Sequence, residues 1–550
     1  MVDGAIELDP AAREARGFSH FSGGYSGRFG GMAVYFVARF DRDFEEHGVW
    51  EGETLRAGET GATGAASGAW VSFDPAQGDT VIAEVAISFV DLEGARANLT
   101  AESADFDFDA VRAESEEIWE RELSRVRIEG RSETDFRRFY TALYHVLLMP
   151  TLAMDADGRY RGLDGEVHVA DGFRYYTDFS LWDTFRTLHP LLTLLYPEHQ
   201  LDMLRSLVRM ALDGGAMPRW PLGVGYTGGM VGEPAAMVFA DSWAKGLRDF
   251  DLRAAYDAMA RGAEGRASDL FVGRGNAEVY NRLGYVPMDA SETLEFAYAD
   301  WALARIAEAL SDDEGVARFS ARAESWRNTW DAERGFFVGR EEDGAFAESF
   351  REDLWQPYYT EGNAWQYLWY VPHDLAGLAE LMGGREALLE RLRSFFDESR
   401  RERRMALPPV WYWHGNEPDL HAPFIFAELG EPAETARVSR WVARTMYGDG
   451  PTGLAGNDDG GTLSAWLVFA SLGIFPITGR DDYLIGSPLV TRAELSIDGG
   501  TFVIDAPESS ERAIYVREAR SNGTVLSEPR VRHADLVAGG RLELDMHHEP

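Results

Sequence analysis

The sequence contains no cysteine, and Lys245 is its only lysine. Without cysteine the chain can form no disulfide, no thiolate nucleophile and no cysteine-ligated metal site. The 53 basic residues are therefore nearly all arginine, and 92 acidic residues outnumber them. The formal net charge of −39 disfavours nucleic acid and anionic membranes as partners and favours cations such as calcium.

Long apolar runs are also missing. No window reaches the roughly 18 consecutive apolar residues of a membrane-spanning helix. The first twenty residues, MVDGAIELDPAAREARGFSH, contain no basic segment followed by an apolar run, so they do not form a signal peptide. Taken literally, the sequence predicts a chain with neither a membrane span nor an export signal.

Aromatic residues, in contrast, are frequent. They make up 12% of the chain and include 16 tryptophans, many of which lie near acidic residues in the middle of the sequence. Such pairs offer stacking surfaces and hydrogen-bond acceptors to a flat polar ligand such as a sugar. With 45% hydrophobic residues over 550 positions, the chain is long enough for two or three domains.

The hydrophobic pattern changes twice along the chain. Residues 31–40 and 80–90 are typical of antiparallel strands, and residues 107–124 have helical spacing with charges on the outer face. From about 132 helix follows helix with no strand signal, which predicts a closed ring of helical hairpins. After Pro476 the pattern returns to strands joined by DGG and SNG turns.

Glu361 lies at a predicted helix start, in the segment YTEGNAWQYLWYVPHD. A carboxyl in such aromatic surroundings is partly desolvated, so its pKa rises and it can donate a proton near neutral pH. The alternative is a carboxylate that satisfies backbone N–H groups at a helix N-terminus. Trp365 in the same segment is predicted to contact the sugar.

A second loop, WYWHGNEPDLHAP, contains Asn416 and Glu417 just before a proline. Amide and carboxylate oxygens on an irregular loop are ligands of the kind that calcium takes, six to eight at a time. The alternative is a turn in which these side chains only cap the backbone. His414 in this loop is predicted to contact the sugar.

A third loop, GLAGNDDGGTLSAW, contains Asn457 followed by the adjacent carboxylates Asp458 and Asp459. Two neighbouring like charges repel each other, and a divalent cation held with the second loop would offset that repulsion. One of the two aspartates could also be the base that activates water. We therefore expect these loops to lie close together.

A fourth segment, YYTDFSLWDTFRTLHPLL, combines Asp178, Trp182, Asp183 and Arg186. Trp beside Asp is a common way to hold a sugar ring and its hydroxyls, which predicts a substrate site. Asp183 and Arg186 are also spaced to form an ion pair on one helix face, which is the structural alternative.

At these segments the chain resembles glycoside hydrolase family 92, the calcium-dependent, inverting exo-α-mannosidases. The resemblance also includes RWPLGVGYTGGMVGEPA and GYVPMDASETLEFAYADWALA, and it runs from about 130 to the C-terminus. It implies a fold that is mostly α with β, in four parts. These are a truncated N-terminal β-sandwich (1–105), a linker helix (106–130), an (α/α)6 barrel catalytic domain (131–476) and a small C-terminal β region (477–550).

The resemblance also implies roles for the site residues. Glu361 would be the general acid and Asp459 the base, with Asp458 as the second candidate. Glu417, Asn416 and Asn457 would lie around a calcium ion that binds the terminal mannose of an oligosaccharide or glycan. The sugar subsite would be lined by the residues of the fourth segment together with Trp365 and His414.

The chain departs from the family pattern in three places. The family's usual start of the sandwich is absent before Met1, so we expect the true start to lie upstream and the protein to be exported, to the periplasm or outside the cell. Leu420 stands where the family often has His, and Glu233 where it often has Asp. Three alternatives stay open: a mannosyl-phosphate hydrolase, an inverting α-glucosidase on the same barrel, and a non-catalytic sugar-binding remnant.

Overall fold

The computed structural model describes residues 1–550 except 104, 131, 266–272 and 403–408. The chain divides into two compact units. Unit 1 comprises residues 1–122, 150–179 and 205–229, and unit 2 comprises residues 123–149, 180–204 and 230–550. Among the described residues, no helix combines the length and the apolar character needed to cross a bilayer.

The N-terminal part of unit 1 consists of two antiparallel sheets and two helices. One sheet has the strand order β6-β1-β2-β3-β8 and the other β5-β4-β7. A core of Leu8, Ala15, Val49 and Ala62 draws residues from both sheets. The elements are β1 Asp3–Asp9, β2 Glu14–Phe21, β3 Met32–Phe40, β4 His47–Glu51, β5 Thr54–Ala57, β6 Gly61–Thr63, β7 Ser67–Val71, β8 Ala83–Ser88, α1 Leu92–Glu102 and α2 Phe108–Leu123.

The strands predicted at 31–40 and 80–90 are β3 and β8, which pair with each other, and the helix predicted at 107–124 is α2. The following region was predicted to contain helices only, and this is wrong. Its hairpin strands are two or three residues long, too short for an alternating pattern to show. The elements are β9 Val126–Glu129, α3 Glu133–Val146, β10 Thr151–Leu152, β11 Arg159–Arg161, β12 Val167–Val169, β13 Tyr176–Thr177, α4 Leu181–Thr184, α5 Leu188–Leu195, α6 Pro197–Gly214, β14 Pro221–Leu222, β15 Gly225–Tyr226, α7 Ala235–Ala244, α8 Leu252–Ala263, α9 Ala277–Leu283, α10 Ala290–Ala309, α11 Asp313–Ala323, β16 Trp330–Asp331 and β17 Phe336–Phe337.

The C-terminal region returns to strands, as the sequence predicts. The DGG turn joins β20 to β21 and the SNG turn joins β22 to β23, in a sheet of order β23-β22-β25-β21-β20-β9. The remaining elements are α12 Ala364–Tyr367, α13 Leu375–Leu381, α14 Arg385–Arg401, α15 Ala422–Glu428, α16 Pro432–Thr445, α17 Thr462–Leu472, β18 Ile474–Pro476, β19 Asp482–Ile485, β20 Arg492–Ile497, β21 Gly500–Asp505, β22 Tyr515–Ser521, β23 Thr524–Val525, β24 Arg530–Arg532, α18 His533–Val537 and β25 Gly540–His547.

Two helices of unit 2 are buried on nearly every side and fix the surroundings of the candidate site. Helix α10 is capped by Asp289, whose carboxylate accepts a hydrogen bond from the Glu292 N–H, and it carries the fully buried Glu295. All eleven residues of α17 are buried. Burial on nearly every side places both helices in the interior of the unit, where they give the adjoining loops a rigid support.

The four-part division stays a prediction, and the two compact units divide the chain at other places. Residues 150–179 and 205–229 lie in the predicted barrel range, yet they group with the N-terminal strands. Strand β9 lies in the predicted linker range and pairs with β20 of the C-terminal sheet. The closure of the helices into an (α/α)6 barrel stays a prediction.

The only lysine is buried in unit 2. The Nζ of Lys245 donates to both carboxylate oxygens of Asp241, at 2.7 and 2.8 Å, and lies 4.9 Å from the ring centroid of Tyr483. The Asp241 carboxylate also accepts a hydrogen bond from the Gly479 N–H at 3.0 Å. The pair therefore holds α7 against the segment that follows β18.

Replacing Lys245 with Met should lower the free energy of unfolding by about 3–5 kcal/mol, because Asp241 is left as an unpaired buried charge. Adding Asp241→Asn removes that charge and keeps an acceptor for Gly479, so the double variant should recover most of the loss. Urea denaturation measures the free energy of unfolding of the wild type and of both variants. A double variant no more stable than the single one would contradict the role of the ion pair.

Candidate active site

Three carboxylates from separate parts of the sequence meet in unit 2. One carboxylate oxygen each from Asp183, Glu417 and Asp459 lies within 4.8 Å of the others. Asp183 lies on α4, Glu417 opens a single 3-10 turn, and Asp459 precedes α17. We refer to these three residues as the acidic triad.

The acidic triad is nearly enclosed by protein. Burial raises the pKa of Asp183 well above its ordinary range, and the charge of Asp459 raises it further, while a hydrogen bond from Ser180 acts in the opposite direction. Burial also raises the pKa of Glu417 and of Asp459. The three groups therefore repel one another in surroundings that screen charge poorly.

The side chains of the adjacent residues Asp458 and Asp459 have different surroundings. Asp458 accepts hydrogen bonds from the Ser464 N–H at 2.9 Å and the Ser464 hydroxyl at 2.7 Å, so it caps the start of α17. Its backbone carbonyl accepts from the Thr462 N–H. Of the two aspartates, only Asp459 faces Asp183 and Glu417, which favours Asp459 over Asp458 as the base.

Glu361 lies close enough to Asp459 for the two carboxylates to interact electrostatically. Partial burial raises the pKa of Glu361, and the charge of Asp459 raises it further. No hydrogen bond from the described residues counteracts that rise, although solvent still reaches the side chain. Both effects favour the protonated carboxyl, which is the form that a general acid needs.

Three non-glycine residues of the predicted site have left-handed backbones: Asp178, Glu361 and Asp459, with φ of 59°, 51° and 45°. This conformation costs energy for a residue with a side chain and tends to concentrate at functional sites. The next residue after Asp459 is Gly460, where an added Cβ would lie 3.0 Å from the Thr184 methyl. The loop is therefore tightly packed against α4.

A network of amides joins the Glu361 loop to the Glu417 loop. The Asn363 side chain caps α12 by accepting from the Gln366 N–H at 3.1 Å. The Gln366 side chain donates to the carbonyls of Pro409 and Trp411 and accepts from the Asn416 amide at 2.9 Å. The Asn416 amide nitrogen is thus committed to the loop junction, which leaves only its carbonyl oxygen for a cation.

The ion pair between Asp183 and Arg186, which was the structural alternative to a substrate site, does not form. Arg186 lies 3.5 Å from the Glu295 carboxylate instead, and its guanidinium is 4.9 Å from the ring centroids of Trp182 and Tyr370. The Trp182 indole N–H and the Tyr370 hydroxyl both donate to Glu295, at 2.8 and 2.7 Å. Trp182 has no exposed surface, so it supports the site from behind and offers no face to a sugar.

The remaining predicted residues take varied positions. His414 is fully buried between the hydroxyls of Tyr412 and Tyr447, and burial lowers its pKa to about 3, so it packs beneath the site without reaching a ligand. Trp365 is half-buried and packs on Trp411, with ring centroids 4.4 Å apart. Asn457 is exposed, and Asp178 belongs to unit 1, where it accepts from the Gly223 N–H.

The acidic triad suits a hard divalent cation. No arginine or lysine nitrogen of the described residues forms an ion pair with its carboxylates, and the Glu417 Oε1 atom is buried without a hydrogen-bond donor. Calcium takes carboxylate and carbonyl oxygens of this kind. The candidate ligand set is therefore Asp183, Glu417 and Asp459, of which only Glu417 was among the predicted ligands.

Comparison with protein families gives two matches that together span nearly the whole chain. The Glycosyl hydrolase family 92 N-terminal domain matches residues 1–88, and the Glycosyl hydrolase family 92 catalytic domain matches residues 94–548. The chain belongs to glycosyl hydrolase family 92. The resemblance seen in the sequence is thereby confirmed, and the family's mixed architecture, a β-rich N-terminal domain and a helical catalytic domain, is that of this chain.

Solved structures of family 92 members are similar over the full chain. A family 92 inverting mannosidase from Bacteroides thetaiotaomicron superposes with a TM-score of 0.92 at 32% identity, covering 100% of this chain and 77% of that one. A family 92 α-mannosidase from the same organism gives 0.90 at 30% identity, covering 100% and 74%. A complex of that α-mannosidase with mannoimidazole gives 0.91 at 29% identity, covering 100% and 74%.

A curated relative is more distant. An uncharacterized secreted glycosidase from the fungus Arthroderma benhamiae is 25% identical over 515 residues. The match includes 85% of this chain but only 60% of the relative's length.

The two departures from the family pattern lie in the interior of this member of family 92. The Glu233 carboxylate accepts a hydrogen bond from the Nε of Arg274 at 2.7 Å, and both residues are buried. The Leu420 side chain is buried, and its carbonyl accepts from the Trp466 indole. Neither side chain offers surface to a ligand in this conformation.

Several residues of the site escaped the sequence analysis. Glu295, Ser180 and Gln366 contact the predicted residues directly, although the sequence analysis gave none of the three a role. Glu295 carried one usable signal, since it is a carboxylate flanked by Leu294 and Phe296 in a largely buried helix. A buried charge needs partners, and such an acid predicts them.

Glu417→Gln should make the metal-free protein more stable by about 1–3 kcal/mol, because one of three mutually repelling buried charges is removed while the shape is kept. The melting temperature in excess chelator measures this, and the same variant should gain less from added calcium than the wild type does. Glu342→Gln, at an exposed surface pair with Arg282, is the matched control. A variant less stable than wild type in chelator would contradict the repulsion.

Proposed function

We propose that this protein is an exo-acting α-mannosidase that hydrolyses terminal α-mannosides with inversion of configuration and with the help of calcium. The observation that carries the proposal is the meeting of Glu361 with the acidic triad in a family 92 chain. The similarity to an inverting mannosidase and to an α-mannosidase that binds mannoimidazole supports the choice of sugar. The substrate is a mannose-containing oligosaccharide or glycan.

Glu361 acts as the general acid. Burial and the charge of Asp459 raise its pKa, which favours the protonated carboxyl, and its proton passes to the glycosidic oxygen as the bond to the anomeric carbon breaks. The hydrogen bond from Tyr367 to the Thr360 carbonyl, together with that from Thr360 to Ser291, fixes the loop that presents it. The leaving group departs as a neutral alcohol.

Asp459 acts as the general base. A water molecule on the opposite face of the sugar gives its proton to the Asp459 carboxylate as it attacks the anomeric carbon, so the product has the inverted configuration. This division of roles needs the carboxyls of Glu361 and Asp459 to stand about 6.5–9.5 Å apart, which leaves room for the water.

Asp183, Glu417 and Asp459 would hold the calcium ion, with the Asn416 carbonyl oxygen as a further ligand. When bound, calcium supplies positive charge that offsets their repulsion and attracts the hydroxyls of the terminal mannose. Arg186 and Glu295 keep α4 in place beneath Asp183 through the contacts with Trp182 and Tyr370.

Two further expectations, on the fold and on export, complete the proposal. The helices of unit 2 are proposed to close as an (α/α)6 barrel, as the family resemblance implies. Export is proposed as well, since the fungal relative is described as secreted.

The purified protein should hydrolyse an aryl α-mannoside, lose that activity in excess chelator and regain it with added calcium. Aryl α-glucoside, assayed alongside, should not be cleaved. Cleavage of the glucoside with no effect of chelator would favour the inverting α-glucosidase, and binding of mannose without turnover would favour the non-catalytic remnant. Either result would contradict the proposal.

Glu361→Gln should slow substrates with poor leaving groups by about 10²–10⁴-fold, because proton donation is lost while shape is nearly kept. Activated aryl mannosides and mannosyl phosphates, whose leaving groups need no proton, should suffer much less. Asp459→Asn should slow both kinds alike, since each needs an activated water. Steady-state rates on the two kinds distinguish the roles, and equal losses for Glu361→Gln would mean that it is not the acid.

A further inference from the structure

A second set of polar residues stands behind Asp459 and has no assigned role. The His145 Nδ1 atom lies 3.3 Å from the Asp458 carboxylate and 3.3 Å from the Ser464 hydroxyl. The same hydroxyl lies 2.7 Å from that carboxylate. His145 is on α3 and Ser464 on α17, so the Asp458–Asp459 loop is held between two helices that are distant in sequence.

The hydrogen bonds determine which atom carries each proton. Ser464 has a single hydroxyl proton, and its shorter contact directs that proton to the Asp458 carboxylate. The Nδ1 of His145 then has no proton to accept from Ser464. Its hydrogen bond with Ser464 therefore runs in the other direction: Nδ1 carries the proton and donates it to the Ser464 hydroxyl oxygen, which links His145 to Asp458 through Ser464.

These contacts constrain Asp459 through the backbone. Asp458 accepts from Ser464 and from Thr462, while the Asp459 carbonyl accepts from the Thr462 hydroxyl at 2.8 Å. The Thr462 carbonyl in turn accepts from Thr187 at 2.6 Å. Asp459 sits at φ of 45°, a conformation that a free chain would leave. The network therefore supplies the constraint that keeps the Asp459 carboxylate directed at Asp183 and Glu417.

We propose that His145 is a positioning residue for catalysis: by donating from Nδ1 to the Ser464 hydroxyl oxygen, it orients the hydroxyl that holds Asp458, and with it the backbone that presents Asp459 as the base. This inference rests on the proposed function. His145 does not touch the substrate, and its effect passes through Asp458 to the geometry of the attacking water.

A cavity makes the proposal open to chemical rescue. His145 and Ser464 line a pocket of about 340 Å³ that also includes Arg137, Thr141 and Tyr447. About a third of the His145 side chain is exposed. Truncation of His145 to Ala therefore leaves a space that solvent reaches and that free imidazole can enter.

The test compares kcat and KM of His145→Ala, His145→Leu and His145→Asn on an aryl α-mannoside. Asn places an N–H near the position of Nδ1, while Leu has similar bulk and no donor. We expect Leu and Ala to lower kcat by about 10–100-fold with little change in KM, because misplacing a catalytic group costs this much. Asn should keep most of kcat, and millimolar imidazole should restore much of the Ala variant's kcat.

His168→Ala is the matched control, since His168 in unit 1 also pairs with an aspartate, at 2.9 Å, and is similarly exposed. This variant should keep the wild-type kcat, and added imidazole should not change that kcat. Equal kcat for the Leu and Asn variants, or an inactive but folded Ala variant that imidazole fails to restore, would overturn the proposal. Should Ala not fold, the Leu and Asn pair decides. Wild-type activity, measured first, separates this failure from failure of the proposed function.

Discussion

Mutual repulsion among buried carboxylates is the constraint around which the candidate site is built. Asp183, Glu417 and Asp459 lie together with no arginine or lysine of the described residues in ion-pair contact, and burial raises the pKa of each. Such a cluster costs folding free energy. It can persist because the surrounding structure holds it from several sides and because a cation can offset the charge.

The supporting contacts form two separate layers. Beneath Asp183, the buried Arg186 meets Glu295, which also accepts hydrogen bonds from Trp182 and Tyr370. Behind Asp459, the side chain of Asp458 caps α17 and leaves its neighbour to face the site. Charge is thus neutralised in the layer below, whereas the acidic triad itself keeps the field that attracts a cation.

How much the sequence predicted depended on the length of each pattern. Long periodic segments such as α10 and paired strands such as β3 and β8 were predicted correctly, and the ordered set of motifs that includes Glu361 led to the right family. The hairpin strands of two or three residues were missed because they are too short to show an alternating hydrophobic pattern. Local spacing also suggested an ion pair between Asp183 and Arg186. Arg186 instead pairs with Glu295, which is more than one hundred residues away in the sequence, so no local pattern could reveal this partner.

The central claim is that Glu361 and Asp459 act on opposite faces of the sugar as acid and base. Proton NMR of the first sugar released from an α-mannoside tests it directly, if spectra are recorded before mutarotation. The account predicts that β-mannose appears first and that the α-anomer grows in later. Initial release of α-mannose would contradict it, because retention requires a nucleophile in place of a base-activated water.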